Sequence, residues 1–103
     1  ARLYFFMIAV FEIEDKTGRK IRLTKSQWKH INKKHPEVEN IENLQETIKN
    51  PDKITNSPVD ETIYYYYKFY KQRQKPNKFL LAIVKYLNNE GFVVTAYYED
   101  KIK

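Results

Sequence analysis

A chain of 103 residues with 42% hydrophobic and 16% aromatic side chains carries enough core-forming material for one globular domain, which excludes a disordered segment. It has no cysteine, which excludes a disulfide framework and thiolate chemistry, and its two histidines alone do not furnish a structural zinc site. No apolar run approaches the roughly 20 residues of a membrane span, while a net charge of +6 points to an anionic partner, nucleic acid before acidic protein.

Met7 is the sole methionine, and a β-rich run begins right after it. Residues 1–7 therefore read as an upstream extension or remnant, and 8–103 as the single domain. Ile8 to Glu14 reads as a strand, Asp15-Lys16-Thr17-Gly18 as a turn, and Arg19 to Leu23 as its partner strand, giving an N-terminal β-hairpin. Thr24 to Glu37 follows and holds both histidines and the only tryptophan. Thr24 is a helix N-cap with Gln27 at capping-box spacing. Lys33, Lys34 and His35 suit the negative end of the helix dipole, and Pro36 pushes His35 out of the α region, so the helix stops near Lys34. At 100° per residue Trp28 and Ile31 share the core-facing side, and His30 falls nearly opposite Trp28 among the lysines.

A second helix spans about Asn40 to Lys49, with Ile41, Leu44 and Ile48 as its apolar stripe; Asn50-Pro51-Asp52 stops it. Lys53 to Ser57 is a short strand or a loop. Three strands follow: Ile63 to Tyr70, Phe79 to Leu87 and Phe92 to Tyr98, the last two joined by a turn at Asn88-Asn89-Glu90-Gly91. The pattern predicts an α+β fold in which the hairpin and two helices pack on an antiparallel sheet, leaving its other face as a ligand surface. Period-2 alternation groups Lys85 on one strand with Val93, Thr95 and Tyr97 on the next, provided the turn is tight. A lysine with two hydroxyls on one patch can hold a phosphate; equally, Lys85 is a solvated residue and Thr95 an ordinary strand former.

The run Tyr64 to Tyr67 points two rings to each face. Core packing accounts for some of them, and base stacking is the functional alternative. Tyr66 and Tyr70, with Lys68, Arg73 and Lys75 strung through and after the run, and Lys33 and Lys34 on the first helix, are the expected RNA contacts. No paired carboxylates, P-loop or HExxH motif is present, so no metal or other cofactor is expected. Histidine, lysine, threonine and tyrosine are the kit of a metal-independent ribonuclease: a base for the ribose 2′-OH, cations for the charged phosphorane and an acid for the leaving oxygen. The bland alternative is that His35 caps a helix end and His30 is one more surface residue.

The segments Trp28-Lys29-His30-Ile31, Lys34-His35-Pro36-Glu37, Asn50-Pro51-Asp52 and Val94-Thr95-Ala96-Tyr97 occur in an order and spacing that resembles the Barnase–EndoU–colicin–RelE (BECR) nuclease superfamily, in its phage- and toxin-associated branch. The resemblance implies a helices-then-sheet fold and metal-independent RNA cleavage. It also implies a cytoplasmic toxin of a toxin-antitoxin or phage-conflict system, held by an acidic antitoxin or immunity protein. Carried over, His35 matches the histidine of the helix-end motif, Thr95 and Tyr97 the last-strand motif, and Lys85 the basic strand position; His30 matches less securely. A non-catalytic RNA-binding module and a basic protein-interaction domain are the competing readings of the same residues.

Overall fold

Two helices lie on one face of a six-stranded sheet in a computed structural model that describes residues 8–73 and 77–103. The extension expected at residues 1–7 lies outside the described residues, as does Lys75. The elements are β1 (Ala9–Glu14), β2 (Lys20–Thr24), α1 (Lys25–Lys34), α2 (Ile41–Lys49), β3 (Lys53–Asn56), β4 (Ile63–Phe69), β5 (Phe79–Leu87) and β6 (Glu90–Glu99). The strand order is β1-β2-β6-β5-β4-β3.

The local signals act as their chemistry requires. Thr24 Oγ1 accepts from the Gln27 amide at 3.2 Å, and Asn40 Oδ1 accepts from Glu42 and Asn43 at 2.9 and 3.1 Å, so both helices start on a side-chain cap. α1 ends at Lys34, with His35 as its C-cap at φ −132°, ψ 73°. That is the extended-side geometry a following proline enforces. The segment Lys53–Asn56, open between strand and loop in sequence, is a strand paired with β4. The β5–β6 turn uses Asn88 and Asn89 at φ 53° and 67° between paired Leu87 and Glu90. This is the two-residue hairpin geometry that asparagine tolerates.

Two sequence expectations are corrected. The sheet is mixed, because β2 runs parallel to β6 and pairs Lys20, Ile21 and Arg22 with Glu90, Gly91 and Phe92. The N-terminal hairpin is thus part of the main sheet rather than a separate layer upon it. The second correction is a β-bulge. Ile83 pairs with Thr95 but Val84 with Val93, leaving Val94 as an extra residue. Alternation through Val94 therefore fails: Val93 turns to the core at 3% exposure, while Thr95 and Tyr97 stay on the opposite face with Lys85.

The core lies between that inner face and the helices. Ile21, Leu23, Ile31, Leu44, Ile48, Tyr66, Leu80, Ala82, Val84 and Ala96 are all fully buried. Each of the larger aliphatic side chains among them contributes about 1.5–3 kcal/mol of transfer free energy. Gly91 sits inside β6, and a Cβ there would lie 2.8 Å from the Tyr86 ring, 2.9 Å from Ile21 and 3.0 Å from Val84. Its role is close packing between β2 and β5, not turn formation.

A buried polar cluster closes one end of the core. Asp15 is 6% exposed, and its Oδ1 accepts from the Thr17 amide and hydroxyl and from the Arg19 amide at 2.7–2.9 Å. Its Oδ2 accepts from the Tyr66 hydroxyl at 2.7 Å, and Tyr66 is in turn hydrogen-bonded to Tyr86. Burial by itself would raise the Asp15 pKa; the hydrogen bonds from Tyr66, Thr17 and Arg19 outweigh it and hold the carboxyl below its ordinary 3.8. A depressed carboxylate pKa stabilises the fold above the ordinary value and loses that contribution as pH falls through the folded value. Asp15→Asn is therefore expected to unfold about 2–4 kcal/mol more easily in urea at pH 7, with the gap to wild type narrowing below pH 3.8. Gly91→Ala is expected to cost about 1–3 kcal/mol in the same measurement, through overpacking against Tyr86 and Ile21.

Candidate active site

β6 is paired by β5 along its length, but by β2 only as far as Phe92. Beyond that residue its other edge is bordered by α1. The Gln27 side-chain amide donates to the Val94 carbonyl at the bulge, close to the start of the helix. At the end of the helix the His35 ring stacks on Tyr97, with centroids 5.1 Å apart and planes 28° off parallel. α1 and the far half of β6 therefore run side by side, and a helix-end residue reaches around the strand edge to a side chain on the outer face.

The loop after α1 holds this pose. The His35 amide donates to the Ile31 carbonyl at 2.7 Å, the Val38 amide donates to the His35 carbonyl at 3.0 Å, and the Asn32 side chain donates to the Val38 carbonyl. Val38 is buried at 1% exposure, so the loop is pinned into the core just past Pro36. His35 Nδ1 lies 3.7 Å from Glu37 Oε2, which leaves Nε2 for other partners, and the side chain keeps 32% of its exposure. Tyr97 is half-buried, and burial, with the nearby Glu99, raises its hydroxyl pKa above the ordinary value. It remains a proton donor at neutral pH.

Thr95 lies two residues before Tyr97 on the same outer face, about 7 Å away along the strand. His30 is exposed on α1, one turn after Gln27, and Lys34 is one turn further along that flank. Thr95, Tyr97, His35 and the flank bearing His30 and Lys34 thus border the same edge. Lys33 is exposed near the end of α1.

Lys85 shares the outer face but sits apart from this edge. It pairs with Phe92, and it lies four residues, about 13 Å, along β5 from Leu81, the partner of Tyr97. Its ammonium is 3.6 Å from Asp60 Oδ2. The tyrosine run divides as alternation requires. Tyr66 is 0% exposed on the inner face with its hydroxyl on Asp15, so it presents no open ring to a base. Tyr70 packs against the core and donates to the Asn43 carbonyl at 2.8 Å. Lys68 Nζ donates to the Asn50 carbonyl at 2.9 Å, and the Arg73 guanidinium stacks 3.5 Å over the Tyr98 ring. These residues fasten β4 and the following loop to the rest of the protein. On the outer face Tyr67 and Leu81 are also buried, at 1% and 3%, with the chain end near Lys103 against Tyr67.

Glu37 and Gln27, which hold His35 and α1 in place, were not singled out as site residues in the sequence. The signal for Glu37 was its place two residues past His35; the signal for Gln27 could not be read without the strand edge it meets. The mixed sheet thus presents a stacked histidine–tyrosine pair at a strand edge beside a basic helix. Residues 9–103 match the family described as phage-Barnase-EndoU-ColicinE5/D-RelE like nuclease 2, and the chain belongs to that nuclease family. The superfamily resemblance drawn from the sequence motifs is thereby borne out. No curated protein and no solved structure was found to match the chain.

The stacking makes a direct prediction. Tyr97→Leu is expected to shift the His35 ring-proton resonances downfield in NMR spectra as the ring current is lost, while the Trp28 resonances, anchored in the core, stay in place.

Proposed function

We propose that this nuclease cleaves RNA without a metal ion, by attack of the ribose 2′-OH on the adjacent phosphate. The observation that carries the reading is the His35–Tyr97 stack on the strand edge that also presents Thr95. In this reading His35 Nε2 takes the 2′-OH proton, with Glu37 facing Nδ1 to orient the ring. The 2′-oxygen bonds to phosphorus while the bond to the 5′-oxygen breaks. That oxygen leaves with a proton from His30, yielding a 2′,3′-cyclic phosphate and a 5′-hydroxyl. The Tyr97 and Thr95 hydroxyls donate to the non-bridging oxygens, and Lys34 offsets the charge that develops there. Lys85, held by Asp60, meets the RNA backbone further along the face.

The arrangement of a histidine edge on a half-open sheet supports a BECR-type layout of the fold. The net charge of +6 supports an acidic antitoxin or immunity protein as partner, and with it a toxin acting in the cytoplasm. Among the described residues no helix is long and apolar enough to cross a membrane.

Purified protein incubated with RNA in EDTA is expected to release fragments ending in 2′,3′-cyclic phosphate. His35→Ala is expected to slow cleavage by about 10²–10⁴-fold and Tyr97→Phe by about tenfold or more. Expression of wild type, but not of His35→Ala, is expected to arrest cell growth. RNA that stays equally intact with wild type and His35→Ala would overturn the reading, and salt-sensitive binding without cleavage would point instead to an RNA-binding module.

A further inference from the structure

At the far end of the sheet from His35 a cleft of about 530 Å³ opens beside the β5–β6 turn, lined by Arg19, Asn56, Tyr64, Tyr86, Asn88 and Asn89 among others. Its volume lies within the range of small-ligand sites. It is separate from the His35 edge: Gly91 follows the turn on β6, and its partner Tyr86 lies five residues, about 17 Å, along β5 from Leu81, the partner of Tyr97.

The cleft has a built wall. The Arg19 guanidinium sits 3.9 Å from the Tyr86 ring centroid and 4.6 Å from that of Tyr64, in the corner made by two rings at 89° to each other. Its Nε donates to Thr17 Oγ1 at 3.0 Å, and Nη2 lies 3.8 Å from Asp15 Oδ2. Behind Tyr86 stands the buried Asp15–Tyr66 pair. A side chain that normally loses much rotamer entropy on binding is therefore already fixed, with 31% of its surface still exposed. Around it stand three carboxamides. Asn88 and Asn89 are presented by left-handed turn residues, and Asn56 ends β3.

A guanidinium is a bidentate match for phosphate, and its plane is a stacking surface for a base. Carboxamides offer a donor and an acceptor side by side, the pattern that pairs with a nucleobase edge. We propose that this cleft is a nucleotide subsite in which Arg19 takes a phosphate and Asn56, Asn88 and Asn89 read the base. The inference deepens the ribonuclease reading and rests on it only for the claim that the nucleotide belongs to a substrate strand.

The test is an NMR titration of the isotope-labelled full chain with each nucleoside 5′-monophosphate, with inorganic phosphate, and with a short 2′-O-methyl oligonucleotide that cannot be cleaved. Saturable shifts at the Asn56, Asn88 and Asn89 amides are expected with at least one monophosphate or with the oligonucleotide. Inorganic phosphate should bind about tenfold more weakly or worse, and Arg19→Gln should weaken binding about tenfold or more. Asn89→Gly, an exposed change that keeps the left-handed turn and removes one carboxamide, should alter the preference among bases; it decides the question if Arg19→Gln unfolds. Binding of the oligonucleotide alone assigns the site to a strand, and binding of a free monophosphate as well assigns it to the nucleotide unit. The proposal fails if neither ligand shifts these residues, if phosphate binds as well as the nucleotides, or if a folded Arg19→Gln binds as tightly as wild type. Nucleotide binding in a protein that never cleaves RNA would leave the subsite standing and remove the ribonuclease reading; cleavage with an empty cleft would do the reverse.

Discussion

The structure depends on how far β2 runs beside β6. Three residue pairs join them, Lys20 to Arg22 with Glu90 to Phe92, and then β2 passes into α1 at Thr24. From Val93 onward the polar backbone groups on that edge of β6 need partners that no strand among the described residues supplies. The Gln27 amide on the Val94 carbonyl meets this need at the bulge, and α1 shelters the remainder. The helix is thus held along a strand edge instead of lying centrally over the sheet. Its C-cap, His35, can then cross from the inner layer to a side chain on the outer face, which a centrally packed helix would not permit.

The Val94 bulge completes this geometry. With an unbroken period of two, Val93, Thr95 and Tyr97 would share one face, and Val93 would lie outside the core that now buries it. The extra residue gives both halves of β6 what they need: Gly91 and Val93 against β2 and the core, Thr95 and Tyr97 on the open face. Bulges sharpen local twist and re-aim side chains, and here Tyr97, on the far side of the bulge, is the residue that meets His35.

What was legible in the sequence was local. Thr24, Pro36 and the Asn88-Asn89 turn each act over a few residues through hydrogen bonds or fixed torsions, and the Ile41–Leu44–Ile48 stripe through its spacing, so their types reveal their roles. The approach of His35 to Tyr97 was reachable because Pro36 sets that histidine outside the helix. The distance from Lys85 to that pair was not, because it depends on register across β5 and β6. Asp15 is the clearest case of a signal that records half of a residue's role. An aspartate ahead of Lys-Thr-Gly reads as an ordinary turn residue, and its Oδ1 does make that turn. Its second oxygen is what anchors Tyr66 from a strand 51 positions away, and nothing in the local pattern records that.

That double use of Asp15 also explains how the inward half of the tyrosine run is accommodated. Tyr64 and Tyr66 face inward, where a phenol must find a partner for its hydroxyl or lose the hydrogen bonds it had in water. Tyr66 meets Asp15 and Tyr86; burial, with the Asp15 charge and against the hydrogen bond from Tyr66, pushes Tyr86 up to about 12, and burial raises Tyr66 as well, so both stay neutral through the physiological range. The two phenols stay neutral around the Asp15 carboxylate, and its charge faces the Arg19 guanidinium at 3.8 Å. Arg19 accordingly stacks on the ring faces of Tyr64 and Tyr86 and keeps part of its surface toward the cleft. The same carboxylate that closes the hairpin turn therefore fixes the arginine at one end of the sheet, while the strand edge it does not reach carries the histidine at the other.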